Sequence, residues 1–422
     1  MKKDCDFLIT GAAQILTMDP KLGSATGDDP EAQELGVISN GAVAAADGKI
    51  LDVGPTSLIL EQYHSTKNID ASGAIVAPGL VDPHTHLVFA GSRHLEFGMR
   101  MRGATYHEIL EAGGGIHSTV RATRLASLDE LVEMALPRLA TMLAFGVTTV
   151  EVKSGYGLDT DTEIKMLQAI RRLSDLQPVR LVPTYLGAHV VPLEHRGDRD
   201  VYLRQMTTEI IPEVAKEGLA QACDVFCDEG AFTLAESVEV LQAAVDSDLK
   251  VKMHAGQFTD QGGPQLVARL GGLSADHLEL VSDEGIEAMA QAGVVANLLP
   301  GAAFSLRDHI PDGRRLIDGG VAVAVATDDN PGTSRTENLP LMACMAVTRM
   351  GLTSSEAWKS ITVNSAKALG MEDSVGAITP GRYADLVIFS VPDFRAFLYH
   401  FGINHSATVI IDGRVVTGET NL

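Results

Sequence analysis

The sequence predicts a parallel (β/α)8 TIM-type barrel carrying a small β-sandwich domain built from both chain ends. Three observations carry that expectation. Apolar, β-branched runs alternate with helical patterns through the middle of the chain. Both ends read instead as short strands and turns. Histidines collect at the C-terminal ends of the middle runs, where barrel proteins build their sites.

The apolar runs fall near residues 82–88, 147–153, 179–185, 222–227, 249–254, 273–277, 293–299 and 321–327. They read as continuous apolar segments, as strands buried on both faces do. Between them, Ser127-Leu128-Asp129-Glu130 has the form of a capping box opening a helix to about Phe145. Residues 161–174, 199–217, 235–246, 282–292 and 339–350 also carry helical spacing. At the ends, Asp6–Ile9, Gly41–Ala45, Lys49–Gly54, 381–390 and 408–417 read as strands, and Asp412-Gly413 is a hairpin signal. The expected division is 1–78 plus 375–422 for the composite β domain and 79–374 for the barrel. Residues 20–36, rich in Gly, Asp and Glu, are expected to form an exposed loop.

Apolar residues make up 45% of the 422 and charged ones 21%, enough for a large core. The net charge of −22 argues against nucleic acid or an anionic membrane as partner, since both reward excess Lys and Arg. An anionic substrate would need a local basic group. Cys5, Cys223, Cys227 and Cys344 form no CxxC pair and are too few for a disulfide scaffold, so buried thiols are expected at Cys223 and Cys227. The N-terminus lacks an adequate signal-peptide h-region, and no apolar run reaches the ~18 residues of a membrane span. A cytoplasmic setting follows as the default.

His84 and His86 stand a residue apart at the end of the first run, so a strand would point both to one face. His189 follows the third run, His254 ends the fifth, His277 ends the sixth and Asp328 follows the eighth. Imidazoles plus a carboxylate suit zinc or iron, and scattered core histidines would not prefer strand ends. The remaining histidines, at 64, 94, 107, 117, 195, 309, 400 and 405, read as packing or surface residues.

The strings Ala77-Pro78-Gly79-Leu80-Val81-Asp82-Pro83-His84-Thr85-His86, Ala326-Thr327-Asp328 and Pro380-Gly381-Arg382-Tyr383-Ala384-Asp385-Leu386 resemble the metal-dependent amidohydrolase superfamily. The resemblance spans nearly the whole chain. Narrower strings resemble its imidazolonepropionase family: Phe89-Ala90-Gly91-Ser92-Arg93, Ala112-Gly113-Gly114-Gly115-Ile116, Glu151–Gly157, Leu186-Gly187-Ala188-His189 and Thr327–Thr333. That resemblance implies hydrolysis of the ring amide of 4-imidazolone-5-propanoate to N-formimidoyl-L-glutamate, in histidine degradation, by a metal-activated water. It implies one zinc or iron per chain, held by His84, His86, His254 and Asp328, with His277 and Asp328 as the catalytic groups. Arg93 is expected to hold the propionate, with Tyr106, Tyr156, His189, Gln257, Asn330, Gly332 and Thr333 around the rest of the substrate. A homodimer is expected.

Each motif also has a plainer reading. Gly113-Gly114-Gly115 lacks the Gly-Lys-Ser/Thr of a phosphate cradle and reads as an active-site lid. Lys153 could be a carboxylated bridge between two metals, but a structural lysine fits a one-metal family better. Arg100 and Arg102 read as solvated loop charges. Asp228 and Glu229 follow the fourth strand and carry no assigned role. Deaminases of the superfamily commonly place Glu where this chain has Gln257, and an amide cannot act as a base. That departure leaves the proton shuttle open between Asp328 and His277. The rival readings are another amidohydrolase, such as a deaminase or a cyclic-imide or dipeptide hydrolase, and a catalytically dead barrel serving as a scaffold.

Overall fold

A computed structural model describes residues 2–23, 28–104, 108 and 113–418. Eight parallel strands form the barrel in strict chain order: Leu80–Asp82, Val147–Lys153, Arg180–Ala188, Ala222–Cys227, Lys250–Ala255, Ser274–His277, Val295–Leu298 and Val323–Val325. The first and last close on each other just beyond their ends. There Asp328 N–H donates to His84 O at 3.0 Å and His86 N–H to Asp329 O at 2.9 Å. The closure therefore sets the HxH segment directly beside Asp328.

The first strand is shorter than expected. The continuous ladder ends at Asp82, and residues 83–90 continue as irregular backbone broken only by the bridge of Thr85 to Asp329. Pro83 lacks the N–H a ladder needs. His84 and His86 thus lie just past the strand.

Helices pack outside the barrel, and the expected ones appear at Leu128–Ala144, Thr160–Leu176, Leu234–Asp246, Asp283–Ala292 and Leu339–Arg349. The Ser127 capping box is present, with Glu130 N–H donating to Ser127 Oγ and Ser127 N–H to Glu130 Oε2. Residues 199–216 are helical but interrupted by a π-turn over Met206–Ile210. Pro212 follows it and has no N–H to give, which removes a bond from the regular ladder.

The terminal strands form one mixed eight-stranded sheet. Its main path runs Arg414–Thr417, Ser406–Ile411, Leu386–Phe389, Ile75–Pro78, Phe7–Leu16, Val37–Ala46 and Lys49–Pro55, with Asn68–Asp70 added beside Phe7–Leu16. The sheet curls: Ile50 N–H donates to Arg382 O and Gly381 N–H to Ile50 O, returning its edge strand to the segment before Leu386. An apolar core from both chain ends fills the curl, including Ile9, Ile15, Val43, Ile388 and Ile410. The hairpin turn lies at Asp412-Gly413, both at positive φ as a type I′ turn requires. Residues 20–36 are not simply a loop. Pro30–Glu34 forms a helical turn capped by Asp29, because Ala32 and Leu35 have apolar neighbours to bury against.

Candidate functional site

Three imidazoles converge at the closing seam of the barrel. His84 Nε2 lies 3.2 Å from His86 Nε2, which lies 3.4 Å from His254 Nε2. Asp328 Oδ1 stands 3.6 Å from His84 Nε2 and 3.5 Å from His86 Nε2. All four residues are buried.

The outer face of the cluster explains the orientation. His84 Nδ1 meets Asp276 Oδ2 at 2.6 Å, and His254 Nδ1 meets Asp224 Oδ1 at 3.0 Å. A carboxylate can only accept, so each Nδ1 carries the proton and each Nε2 turns a lone pair inward. The lone pairs of His84 and His254 face one point together with His86 Nε2, and such lone pairs repel unless a proton or a cation sits among them. Ligand atoms about 2.1 Å from a tetrahedral ion lie about 3.4 Å apart, which is the spacing seen here. The trio has the geometry to hold one metal ion.

Beneath the histidines lies a buried ionic network that the sequence reading did not assign. Lys153 Nζ sits 2.7 Å from Asp224 Oδ2 and 2.8 Å from Glu151 Oε2. Lys252 Nζ lies 3.0 Å from Glu151 Oε1 and donates to Pro83 O at 2.8 Å. Burial opposes the Lys153 charge, but the three carboxylates of Asp224, Glu151 and Asp276 overcome it and hold the ammonium strongly protonated. Lys153 is therefore an ion-pair partner of Asp224, and the structural reading of this lysine fits its contacts. The signal was present in the sequence. Glu151/Lys153, Lys252/His254 and Ser274/Asp276 alternate at the period of a strand inside otherwise apolar runs, which aims them into the barrel.

Above the cluster is a pocket of about 190 Å3 lined by His86, Arg93, Tyr156, His189, Gln257, His254, His277, Asp328, Asn330 and Thr333. His84 lies below it. Gly332, expected around the substrate, does not line this pocket but an adjoining cavity, and it packs so close to Arg93 that a Cβ there would collide with the guanidinium. Arg93 Nε is already engaged by Glu96 Oε2 at 2.8 Å. Tyr106 lies outside the described residues. Gly115 caps the helix Ile116–Leu125, whose first residue touches the pocket.

The side chains differ in protonation for identifiable reasons. Burial and the neighbouring His254 charge push His189 down to about 3, so it is neutral. Its Nδ1 lies 3.0 Å from Gly155 O, which fixes Nε2 as an acceptor, and its ring stacks on His86 at 5.2 Å between centroids. His277 goes the other way. Burial lowers it, but Glu279, at 3.7 Å, outweighs burial and favours the imidazolium. That distance is an ion pair rather than a hydrogen bond. Burial pushes Asp328 up to about 7, against the pull of His277 and Asn330. Tyr156 is buried and held well above its usual range, hence a permanent donor. His277 and Asp328 both sit at positive φ, 83° and 52°. Non-glycine residues adopt this region at a cost, and such strain clusters at functional positions.

Two sequence expectations need correction or detail. Arg100 is not a solvated charge: it is half-buried and donates to Gly332 O at 3.1 Å, because the helix His94–Met101 packs against the loop after the eighth strand. Arg102 is exposed. Asp228 is a scaffold for Gln257, accepting from Phe258 N–H at 2.8 Å and Thr259 Oγ at 2.6 Å, whereas Glu229 is exposed. No helix of the described residues is long and apolar enough to cross a membrane.

Comparison with known proteins agrees with this geometry. The amidohydrolase family model matches residues 75–416. An imidazolonepropionase of Geobacillus kaustophilus is 49% identical over 390 residues, covering 92% of each chain. One from Bacillus velezensis is 44% identical over 423 residues, covering 99% of each. Among solved structures, a zinc-bound adenosine deaminase from Xanthomonas campestris superposes with a TM-score of 0.73 at 18% identity, covering 100% of this chain and 95% of that one. A 5-methylcytosine deaminase from Klebsiella pneumoniae gives 0.73 at 16%, covering 98% of each. These structural likenesses speak to the barrel alone, but the sequence matches run nearly end to end, and the chain belongs to the amidohydrolase family and, within it, to the imidazolonepropionases.

Proposed function

We propose that the chain adds water across the ring amide of 4-imidazolone-5-propanoate to give N-formimidoyl-L-glutamate. The observation that carries this reading is one small pocket with three converging imidazoles at its floor and a guanidinium at its wall. A cyclic amide with a carboxylate tail fits both ends. His84, His86, His254 and Asp328 would hold a single zinc or iron ion, which would supply Lewis acidity there by lowering the pKa of water and polarising a carbonyl oxygen.

The protein's own groups do the rest. Arg93 holds the propionate through its planar fork, with Glu96 fixing the Nε edge of the guanidinium. Tyr156 donates to the substrate and His189 Nε2 accepts from a ring N–H. Gln257 orients the ring as donor and acceptor. His277, its imidazolium favoured by Glu279 against burial, donates to the carbonyl oxygen where negative charge develops. Asp328 takes the proton from water and delivers it to the leaving ring nitrogen. The water oxygen stays in the new carboxylate, the C–N bond breaks, and no ammonia is released. Asn330 shapes the wall: its Oδ1 accepts from Gly332 and Thr333 N–H, each at 2.8 Å, and its Nδ2 donates to Asp328 O at 2.7 Å. Incubation with freshly made imidazolone propionate should yield formiminoglutamate. An intact substrate with fully metal-loaded protein would reject the proposal.

A further inference from the structure

The largest cavity described is not the metal pocket but a chamber of about 790 Å3 beside it. Arg93 and Thr333 line both, so the two spaces adjoin. Five arginines line the chamber: Arg93, Arg100, Arg138, Arg335 and Arg349. Among its described lining residues there is no Asp or Glu. In a chain of net charge −22 this is a concentrated reversal of sign.

Not all of that charge is compensated nearby. Arg93 pairs with Glu96, and Arg335 with Asp329 and Glu337. Among the described residues, no carboxylate lies within ion-pair distance of Arg100, Arg138 or Arg349. Arg138 is 8% exposed and donates to the carbonyls of Leu87 and Phe89, while its guanidinium covers the Phe89 ring at 3.6 Å. Burial pulls it down to about 10, against the more distant pull of Asp329 and Glu337 and with the help of the Arg335 charge. Removing a guanidinium from water without an anion is costly, and low-dielectric walls focus its field on whatever enters. The chamber also has an apolar side, with Met342 and Met345 available to a methylene chain.

We propose that this chamber is a second carboxylate site. It takes small aliphatic carboxylates by guanidinium forks, with their methylenes on the methionines, and passes them by way of Arg93 to the metal pocket. Arg100 is the link. It donates to Gly332 O, and Gly332 in turn abuts Arg93, so an anion drawn to Arg100 meets Arg93 next. The identity of the physiological carboxylate rests on the function proposed above, whereas the site itself rests on the arginines. The chamber would also offset the repulsion that an anion meets on approaching an acidic protein.

The test uses glutarate, a dicarboxylate with no ring to hydrolyse, titrated calorimetrically into the metal-loaded protein at low salt. Arg100 lines the chamber and not the metal pocket, so Arg100→Met should weaken glutarate binding about tenfold or more, the loss of one charge-assisted contact, with metal content unchanged. Should that variant fail to fold, Arg349→Met decides by the same criterion. Wild-type affinity in the folded variant would overturn the proposal. So would glutarate binding abolished equally by sodium chloride at matched ionic strength, the behaviour of an ion atmosphere only. Neither outcome touches ring hydrolysis, which is measured separately.

Discussion

Replacing Asp224 by Asn tests how the carboxylates outside the histidine cluster control the metal. Asp224 Oδ1 accepts from His254 Nδ1 at 3.0 Å and from His254 N–H at 3.1 Å, and its Oδ2 accepts from Lys153 at 2.7 Å. Burial works against this carboxylate, yet His254 and Lys153 hold it well below the usual range. An amide keeps the shape but removes the charge. Its oxygen can still accept from His254 or from Lys153, not fully from both, and its NH2 faces a donor. The imidazole loses orientation and basicity. Losses of this kind typically weaken a metal site about 10–100-fold, or about 1.4–2.7 kcal/mol. The buried Lys153 retains Glu151, so the stability loss should stay below the ~3–5 kcal/mol of an orphaned buried charge. Metal transfer to a chelator, followed optically, reads the affinity, and thermal unfolding reads the stability. Wild-type metal retention in Asp224→Asn would refute the claim that these carboxylates aim the imidazoles.

His254→Ala should lose metal and turnover together, and full metal occupancy with normal rate would remove the site as drawn. Arg93→Met should lower kcat/KM by roughly two to three orders of magnitude, from ~3–4 kcal/mol for a desolvated charged pair, with metal content unchanged. A near-wild-type kcat/KM would show that another group holds the tail. Gln257→Glu should retain partial activity at most, since a carboxylate beside Asp328 and His277 disturbs both; full activity would show that the amide is not needed to orient the ring. The pH dependence of stability should carry a signature of His189. Its folded pKa of about 3 lies below its unfolded value of about 6.5, so the unfolded chain binds the proton first and stability falls as pH drops between those limits. Denaturant titrations with chelator present, comparing wild type with His189→Phe, should show a slope smaller by up to about 1.4 kcal/mol per pH unit in the variant. Equal slopes would mean that His189 is not held neutral.

The barrel was legible because eight buried parallel strands leave apolar runs, and the site because its histidines end those runs. What the sequence reading passed over shares one physical cause. Asp224, Asp276, Glu151 and Lys252 lie inside strands that read as apolar, and each is tolerable there only because another strand supplies its partner. That pairing is tertiary, so no local window reveals it, although the alternation of polar residues in Lys252/His254 and Ser274/Asp276 gives the facing. The extent of the first strand was misjudged where Pro83 ends the ladder. Arg100 was misread because a charged residue on a short helix looks solvated until the Gly332 loop packs on it.

Hydrolysis in 18O-labelled water tests the central claim most directly, by following the oxygen and the nitrogen together. Water added across the ring amide places a single 18O in the α-carboxylate of formiminoglutamate, with no ammonia formed. Mass spectrometry of the product alongside an ammonia assay should find that pattern, and chelation should abolish it. Ammonia release from adenine, guanine or cytosine compounds, with the imidazolone left unconsumed, would contradict the account while leaving the barrel and its histidine cluster intact.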